Sequence, residues 1–135
     1  MTNQKVSEKP KSLGWGMSWL MKSEPDVFSL EDLRKNKTTL WEGVRNHQAR
    51  NFMTQEMQIG DGVLFYHSNA SPSGIAGLAE VSALAVPDPT QFDSKSEYYD
   101  PKSTREKPIW YCVEVRFLEK FKNFVSLEEI KKMKL

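Results

Sequence analysis

The sequence predicts a mixed α/β domain: a small, bent, partly closed barrel of about five or six strands, with three or four short helices at its edges. Three observations carry that prediction. Val63-Leu64-Phe65-Tyr66 is a continuous apolar run of strand length, the pattern of a strand covered on both faces. Ile109 to Phe117 alternates, with Ile109, Tyr111, Val113, Val115 and Phe117 on one face and Glu114 and Arg116 on the other. Ile75 to Val86 reads as a long strand whose Gly74 and Gly77 call for strong bending or close packing, which suits a small barrel.

Each element follows from local chemistry. Residues 1–16 are polar, lysine-bearing and aperiodic, and are expected to form a flexible tail ahead of a domain over 17–135. Met17 to Ser23 is a strand of mixed facing near the sheet centre, and it turns polar at Lys22-Ser23-Glu24-Pro25. Ser29-Leu30-Glu31-Asp32 carries the hydroxyl and acid of a capping box, so a helix is expected over 29–35. Thr38 to Trp41 is the next strand. In the helix that follows, Ala49, Phe52, Met53 and Met57 recur at spacings of three and four and give one apolar face. Gly60-Asp61-Gly62 is a turn. The strand after it ends in His67-Ser68-Asn69, and 71–74 forms a loop. Pro87 to Pro108 is a long excursion with room for one helical turn, holding Phe92, Tyr98 and Tyr99. Ser126-Leu127-Glu128-Glu129 starts a last helix.

Composition narrows the function. The 135 residues are enough to bury a core without metal or disulfide staples, and 39% hydrophobic with 27% charged residues is ordinary for a globular domain. Nineteen basic against eighteen acidic side chains give a net charge of +1, so any grip on nucleic acid must be local. Cys112 is the single cysteine, and His47 and His67 lack metal-ligand spacing; no metal or cofactor is expected. No apolar run has the length of a bilayer span and the N-terminus lacks a signal-peptide core, so no membrane partner and an intracellular residence, cytoplasmic or nuclear, are expected.

Leu40-Trp41-Glu42-Gly43-Val44-Arg45-Asn46-His47-Gln48-Ala49-Arg50-Asn51 runs from a strand through a glycine into a helix start. A large aromatic, a glycine that admits close backbone and Arg and Asn at a helix start suit a flat, hydrogen-bonding ligand. The competing reading is a core tryptophan before an ordinary turn, with Lys22 and Glu24 paired to each other or to Arg45. Three polar ends, Lys22 to Pro25, Gly43 to Asn46 and His67 to Asn69, would at one rim supply cations, hydroxyls and amides around aromatics. That inventory fits base reading better than catalysis.

The runs Trp19-Leu20-Met21-Lys22-Ser23-Glu24-Pro25, Trp41-Glu42-Gly43-Val44-Arg45-Asn46 and Phe65-Tyr66-His67-Ser68-Asn69 closely resemble the EVE domain family. So do Gly74-Ile75-Ala76-Gly77, Asp88-Pro89-Thr90-Gln91-Phe92, Tyr98-Tyr99-Asp100-Pro101 and Pro108-Ile109-Trp110, and the likeness spans 19–135. It implies a PUA-like fold related to the YTH domains. It also implies a non-catalytic module that reads a modified base in DNA or RNA: methylated or hydroxymethylated cytosine, or methylated adenine. By the same resemblance Trp41 stacks on the base, Ser23 and Asn46 bond its edge, and Lys22 and Gly43 add backbone contacts beside Val44. His67, Ser68 and Asn69 complete the rim, and Arg45 and Arg50 hold phosphate or brace the pocket. Family members usually continue for a few dozen residues past the point matching Leu135, so the C-terminal end of the barrel is expected to be missing. Alternatives are a protein- or small-molecule-binding domain using the same pocket, and a hydrolase built on Ser23 or Ser68 with His67 and Glu24 or Asp61; no Gly-x-Ser-x-Gly elbow supports the last.

Overall fold

The structure is a computed structural model that describes residues 5–6, 11–12 and 17–132. Its elements are β1 (Lys5–Val6), β2 (Lys11–Ser12), β3 (Met17–Ser23), α1 (Leu30–Asn36), β4 (Thr38–Leu40), α2 (His47–Asn51), β5 (Gly62–His67), β6 (Gly74–Pro87), β7 (Tyr111–Val125) and α3 (Leu127–Lys132). The strands form one sheet in the order β1-β3-β5-β6-β7-β4, with β2 also pairing β3. β3 and β5 are parallel, and the other pairs are antiparallel. Of the stretch expected as a tail, Lys5–Val6 and Lys11–Ser12 pair with β3, and the rest of 1–16 lies outside the described residues.

β6 and β7 make the longest pairing, from Ile75 opposite Val125 to Pro87 opposite Tyr111, broken by four register shifts that bend the ribbon. The bend needs Gly77: a Cβ there would overlap the Glu119 carbonyl and the Leu30 side chain. Inside the bend lies the main core, which includes Trp19, Met21, Leu33, Trp41, Met53, Phe65 and Val113. Leu20, Leu64 and Ile75 form a smaller cluster. β5 feeds both, Val63 and Phe65 the first and Leu64 the second, which is why it reads as an unbroken apolar run.

α1 begins where its capping box predicts. Ser29 Oγ accepts from the Asp32 N–H at 3.1 Å, Asp32 Oδ2 accepts from the Ser29 N–H at 2.9 Å, and Leu30 and Leu33 are buried. α2 is shorter than its periodicity suggests and passes into a π-helical turn over Phe52–Glu56, with Ala49, Met53 and Met57 buried. The 87–108 excursion contains one 3-10 turn, Pro89–Phe92. β7 starts at Tyr111 rather than Ile109 and runs on to Val125, well past Phe117.

Candidate functional site

The parallel register of β3 and β5 sets Lys22 beside Tyr66 and Ser23 beside His67, so the polar ends of the two strands meet at one rim. The Ser68 N–H donates to the Ser23 carbonyl at 3.0 Å, and Asn69 Nδ2 donates to Glu24 Oε1 at 2.5 Å. Asn69 sits at φ +49°, a left-handed conformation asparagine tolerates. Ser23 is buried, with Oγ donating to the Phe28 carbonyl at 2.6 Å. His67 is 8% exposed; its Nε2 accepts the Leu30 N–H at 3.0 Å and its ring meets Phe65 and Phe124 edge-on. Burial pushes the imidazole below its ordinary pKa, and the neutral ring is the one that accepts this bond. Ser23 and His67 thus seat the start of α1. Lys22, one residue along the strand, faces the other way, its ammonium 5.4 Å from the centre of the Tyr66 ring.

Trp41 lies behind this rim as a core side chain. It is fully buried, its ring stands edge-on to Phe65 at 5.5 Å, and its main-chain N–H donates to the Val113 carbonyl at 2.9 Å. Val44 is buried in the same core. A base therefore reaches the indole face only when the packing above it moves. The indole Nε1 is the one buried side-chain polar atom among the described residues without a hydrogen-bond partner.

The remaining candidates belong to a second assembly. Gly43, at φ +85°, donates its N–H to Asp88 Oδ2 at 2.7 Å, a turn that a side chain would strain. Asp88 is buried and also accepts from Arg45 Nη1 at 3.1 Å and from the Thr90 N–H at 2.8 Å. Arg45 further donates to Thr90 Oγ1 and to the Tyr98 carbonyl, and its guanidinium lies over the Trp110 ring at 5.1 Å. Arg50 lies over the same ring at 5.6 Å and bonds the Ile109 carbonyl at 3.0 Å. His47 stacks on that ring too, at 4.7 Å. Both arginines thus brace the loop. Asn46 Oδ1 caps α2 by accepting the Ala49 N–H at 3.0 Å, so this side chain is occupied locally. Glu42 is half-buried beside Asp88, and burial with that neighbour's charge raises its pKa. Burial also pushes the Cys112 thiol up to about 12, far from a reactive thiolate.

The structure therefore brings Ser23, His67, Ser68 and Asn69 together, places Trp41 and Val44 in the core behind them, and ties Gly43, Arg45 and Arg50 into the Asp88–Trp110 assembly. Sequence reasoning assigned no site role to Asp88, Gln91 or Trp110. Gln91 is fully buried; its Nε2 donates to the Asp88 and Trp110 carbonyls, and its Oε1 accepts the Trp110 N–H at 2.9 Å. Asp88-Pro89-Thr90-Gln91-Phe92 and Pro108-Ile109-Trp110 stood out only as runs shared with the family, and the Asp88-Pro89 pair marks a turn start without naming the distant partners. Arg50, Asn51, Ala85, Ile109 and Tyr111 line a shallow concavity of about 470 Å³ on the flank of this assembly. A Ser-His pairing is not formed, since Ser23 Oγ and His67 Nε2 are both engaged with α1 and the segment leading into it. Among the described residues no group of three or more His, Cys, Asp or Glu could hold a metal ion, and no helix is long and apolar enough to cross a membrane.

A bent mixed sheet whose parallel strand ends form a polar rim over an aromatic core defines a small mixed α/β domain. The chain belongs to the EVE domain family, whose model matches residues 17–135. It is 47% identical to thymocyte nuclear protein 1 of Gallus gallus over 124 residues, covering 84% of this chain and 51% of that protein. The chain spans about half the length of the thymocyte nuclear proteins it matches. Among solved structures it is similar to a hypothetical protein from Leishmania major, with a TM-score of 0.77 and 52% identity over 85% of this chain and 73% of that one. It is also similar to the human THYN1 protein in complex with DNA containing 5-methylcytosine. There the TM-score is 0.76 and the identity 45%, over 86% of this chain and 74% of that one.

Proposed function

We propose that this chain is a non-catalytic module that binds DNA carrying a modified base, with 5-methylcytosine the first candidate. The observation that carries the reading is the 45% identity to a chain whose structure contains 5-methylcytosine DNA. The geometry supports it. The rim of Ser68 and Asn69 offers polar groups at the mouth, and Trp41 offers an aromatic floor whose N–H has no acceptor among the described residues. The base enters unstacked, between rim and floor, as the packing over Trp41 opens. Stacking on an aromatic contributes about 1–3 kcal/mol. Burial of the added methyl contributes about 0.8 kcal/mol. With a net charge of +1 and Arg45 and Arg50 engaged inside the protein, few phosphates are neutralised, so affinity should fall only gently with salt.

The test is a titration at fixed moderate salt with oligonucleotides that differ only in one base: cytosine, 5-methylcytosine, 5-hydroxymethylcytosine, adenine or N6-methyladenine, each also as RNA. Trp41→Ala would empty the core at a cost of about 3–5 kcal/mol and confuse folding with binding. Trp41→Phe keeps an aromatic ring and removes the N–H. Wild type should prefer one modified base, and Trp41→Phe should keep the fold and lose most of that preference. Equal affinity of both proteins for every oligonucleotide would sink the reading and point to a protein or small-molecule ligand.

A further inference from the structure

Two irregularities of the backbone meet at the concavity on the flank of the Asp88–Trp110 assembly. The first is in the helix. α2 widens into the π-helical turn Phe52–Glu56, where the Met57 N–H reaches back to the Phe52 carbonyl at 2.9 Å. Arg50, Asn51, Thr54 and Gln55, on either side of this junction, all line the concavity. The second is in the sheet. The β6–β7 register slips between Ala83 and Val86, and inside the slip Ala85 takes φ +51°, a left-handed conformation that alanine adopts only under constraint. Ala85 lines the same concavity. Such departures cost stability and collect where a surface is shaped for a ligand. Here two that arise in separate elements bound one space of about 470 Å³, within the range of small-molecule sites.

The chemistry of that space is one cation beside apolar surface. Arg50 is held by neutral groups only: Nη1 donates to the Ile109 carbonyl at 3.0 Å, and Nε and Nη2 donate to Asn51 Oδ1 at 3.3 and 3.1 Å. Three of its five N–H groups are used, which leaves one on each terminal nitrogen. Arg45, over the same Trp110 ring, has Asp88 as counter-ion; Arg50 has no ion pair among the described residues, and no acidic residue lines the concavity. With its oxygen turned to Arg50, the Asn51 amide offers donors alone. Tyr111 and Ile109 supply the apolar wall. A carboxylate brings one charge and the planar geometry a guanidinium prefers, whereas a phosphate monoester brings about −1.5 to −2, more than one arginine offsets.

We propose that this concavity is a second ligand site, for a carboxylate borne on a flat apolar group: the carboxylate on Arg50 and Asn51, the flat group against Tyr111 and Ile109. The carrier is a free aromatic acid or the last residue of a polypeptide. His67 pairs with Gly74 at one end of β6 and Tyr111 with Pro87 at the other, so the site is remote along the strand from the rim and does not depend on the modified-base reading.

The experiment titrates the isotope-labelled protein and follows the Arg50 side-chain N–H, the Asn51 and Gln55 side-chain amides and the Tyr111 backbone amide by NMR. Benzoate should move these signals saturably, and benzamide, its neutral isostere, should bind about tenfold or more weakly. Acetate, which lacks the ring, should also be weaker by about tenfold. In Arg50→Gln, which keeps a donor for the Ile109 carbonyl, benzoate and benzamide should come within about twofold of each other. A peptide ending in Phe with a free carboxylate is compared with its amidated form. If the free peptide binds more tightly than benzoate, the carrier is a polypeptide end; if more weakly, a free acid. Equal wild-type affinity for benzoate and benzamide overturns the site, and that arm needs no variant to fold. Tighter binding of phenyl phosphate than of benzoate overturns it as well, as does a preference for benzoate retained in folded Arg50→Gln or a response confined to Ser68 and Asn69.

Discussion

The strand-end rim and the Asp88–Trp110 assembly have similar side chains and opposite construction. The rim is made by sheet register and a handful of local bonds: Ser68 to Ser23, Asn69 to Glu24, His67 to the first turn of α1. The assembly is cross-linked throughout, with one buried carboxylate holding a glycine N–H, an arginine and a threonine, and one indole ring carrying two guanidiniums and an imidazole. Cations that read as nucleic-acid contacts in the sequence spend their hydrogen bonds inside the molecule. The rim keeps Ser68 and Asn69 at the mouth, with the Ser23 hydroxyl buried beneath them against Phe28. Rigidity sits behind the site and adaptability at its edge, as expected where a scaffold positions a binding loop.

The contrast can be broken from either side. The largest effect should come from Asp88→Ala, which strands the Arg45 charge and the Gly43 N–H; loss of about 3–5 kcal/mol in denaturant unfolding is expected. If the loss is under about 1 kcal/mol, the assembly is not the rigid half. His67→Ala removes the acceptor of the Leu30 N–H and should cost about 1–3 kcal/mol.

Acid should act on the same bond more gently. The folded-state pKa of His67 lies below its ordinary 6.5, so the unfolded chain takes up this proton first. Its contribution to stability is thus complete above about pH 6.5 and declines as pH falls below that value toward the folded pKa. In His67→Phe this part of the pH dependence of the unfolding midpoint should vanish; if it persists unchanged, another group is responsible. The smallest effect belongs to Asn69→Gly, which deletes an exposed contact with Glu24 and leaves a residue at ease at φ +49°; it should shift stability by less than about 0.5 kcal/mol.

Much of this architecture was legible in the residues. The Ser29 and Asp32 pair placed α1 to within a residue, and the unbroken run 63–66 identified the strand buried on both sides. The second half of β7 was not legible, because Glu119, Lys120, Lys122 and Asn123 present no apolar alternation; backbone pairing with β6 carries that segment. Nor was the order of the 87–108 excursion, since its anchors, Asp88 and Gln91, are polar residues buried by bonds to groups distant in sequence. In the candidate site, the polar tips of β3 and β5 were legible as tips, but their meeting was not, because the parallel pairing joins segments distant in sequence. Nor was the role of His67, for its partner is 37 residues away. That Lys22 and Ser23 face opposite sides was available from the two-residue strand period alone.

The parallel pairing of β3 with β5 also governs when the site can exist. Glu24 and Asn69 meet although 45 positions apart in sequence, with α1, β4 and α2 between them, whereas β5, β6 and β7 are successive antiparallel partners. Closing that long loop is entropically costly, and such contacts form late in folding. The β5–β6–β7 ribbon should therefore assemble first and the rim last, so that binding competence appears only at the end of folding and is lost first when the chain begins to open.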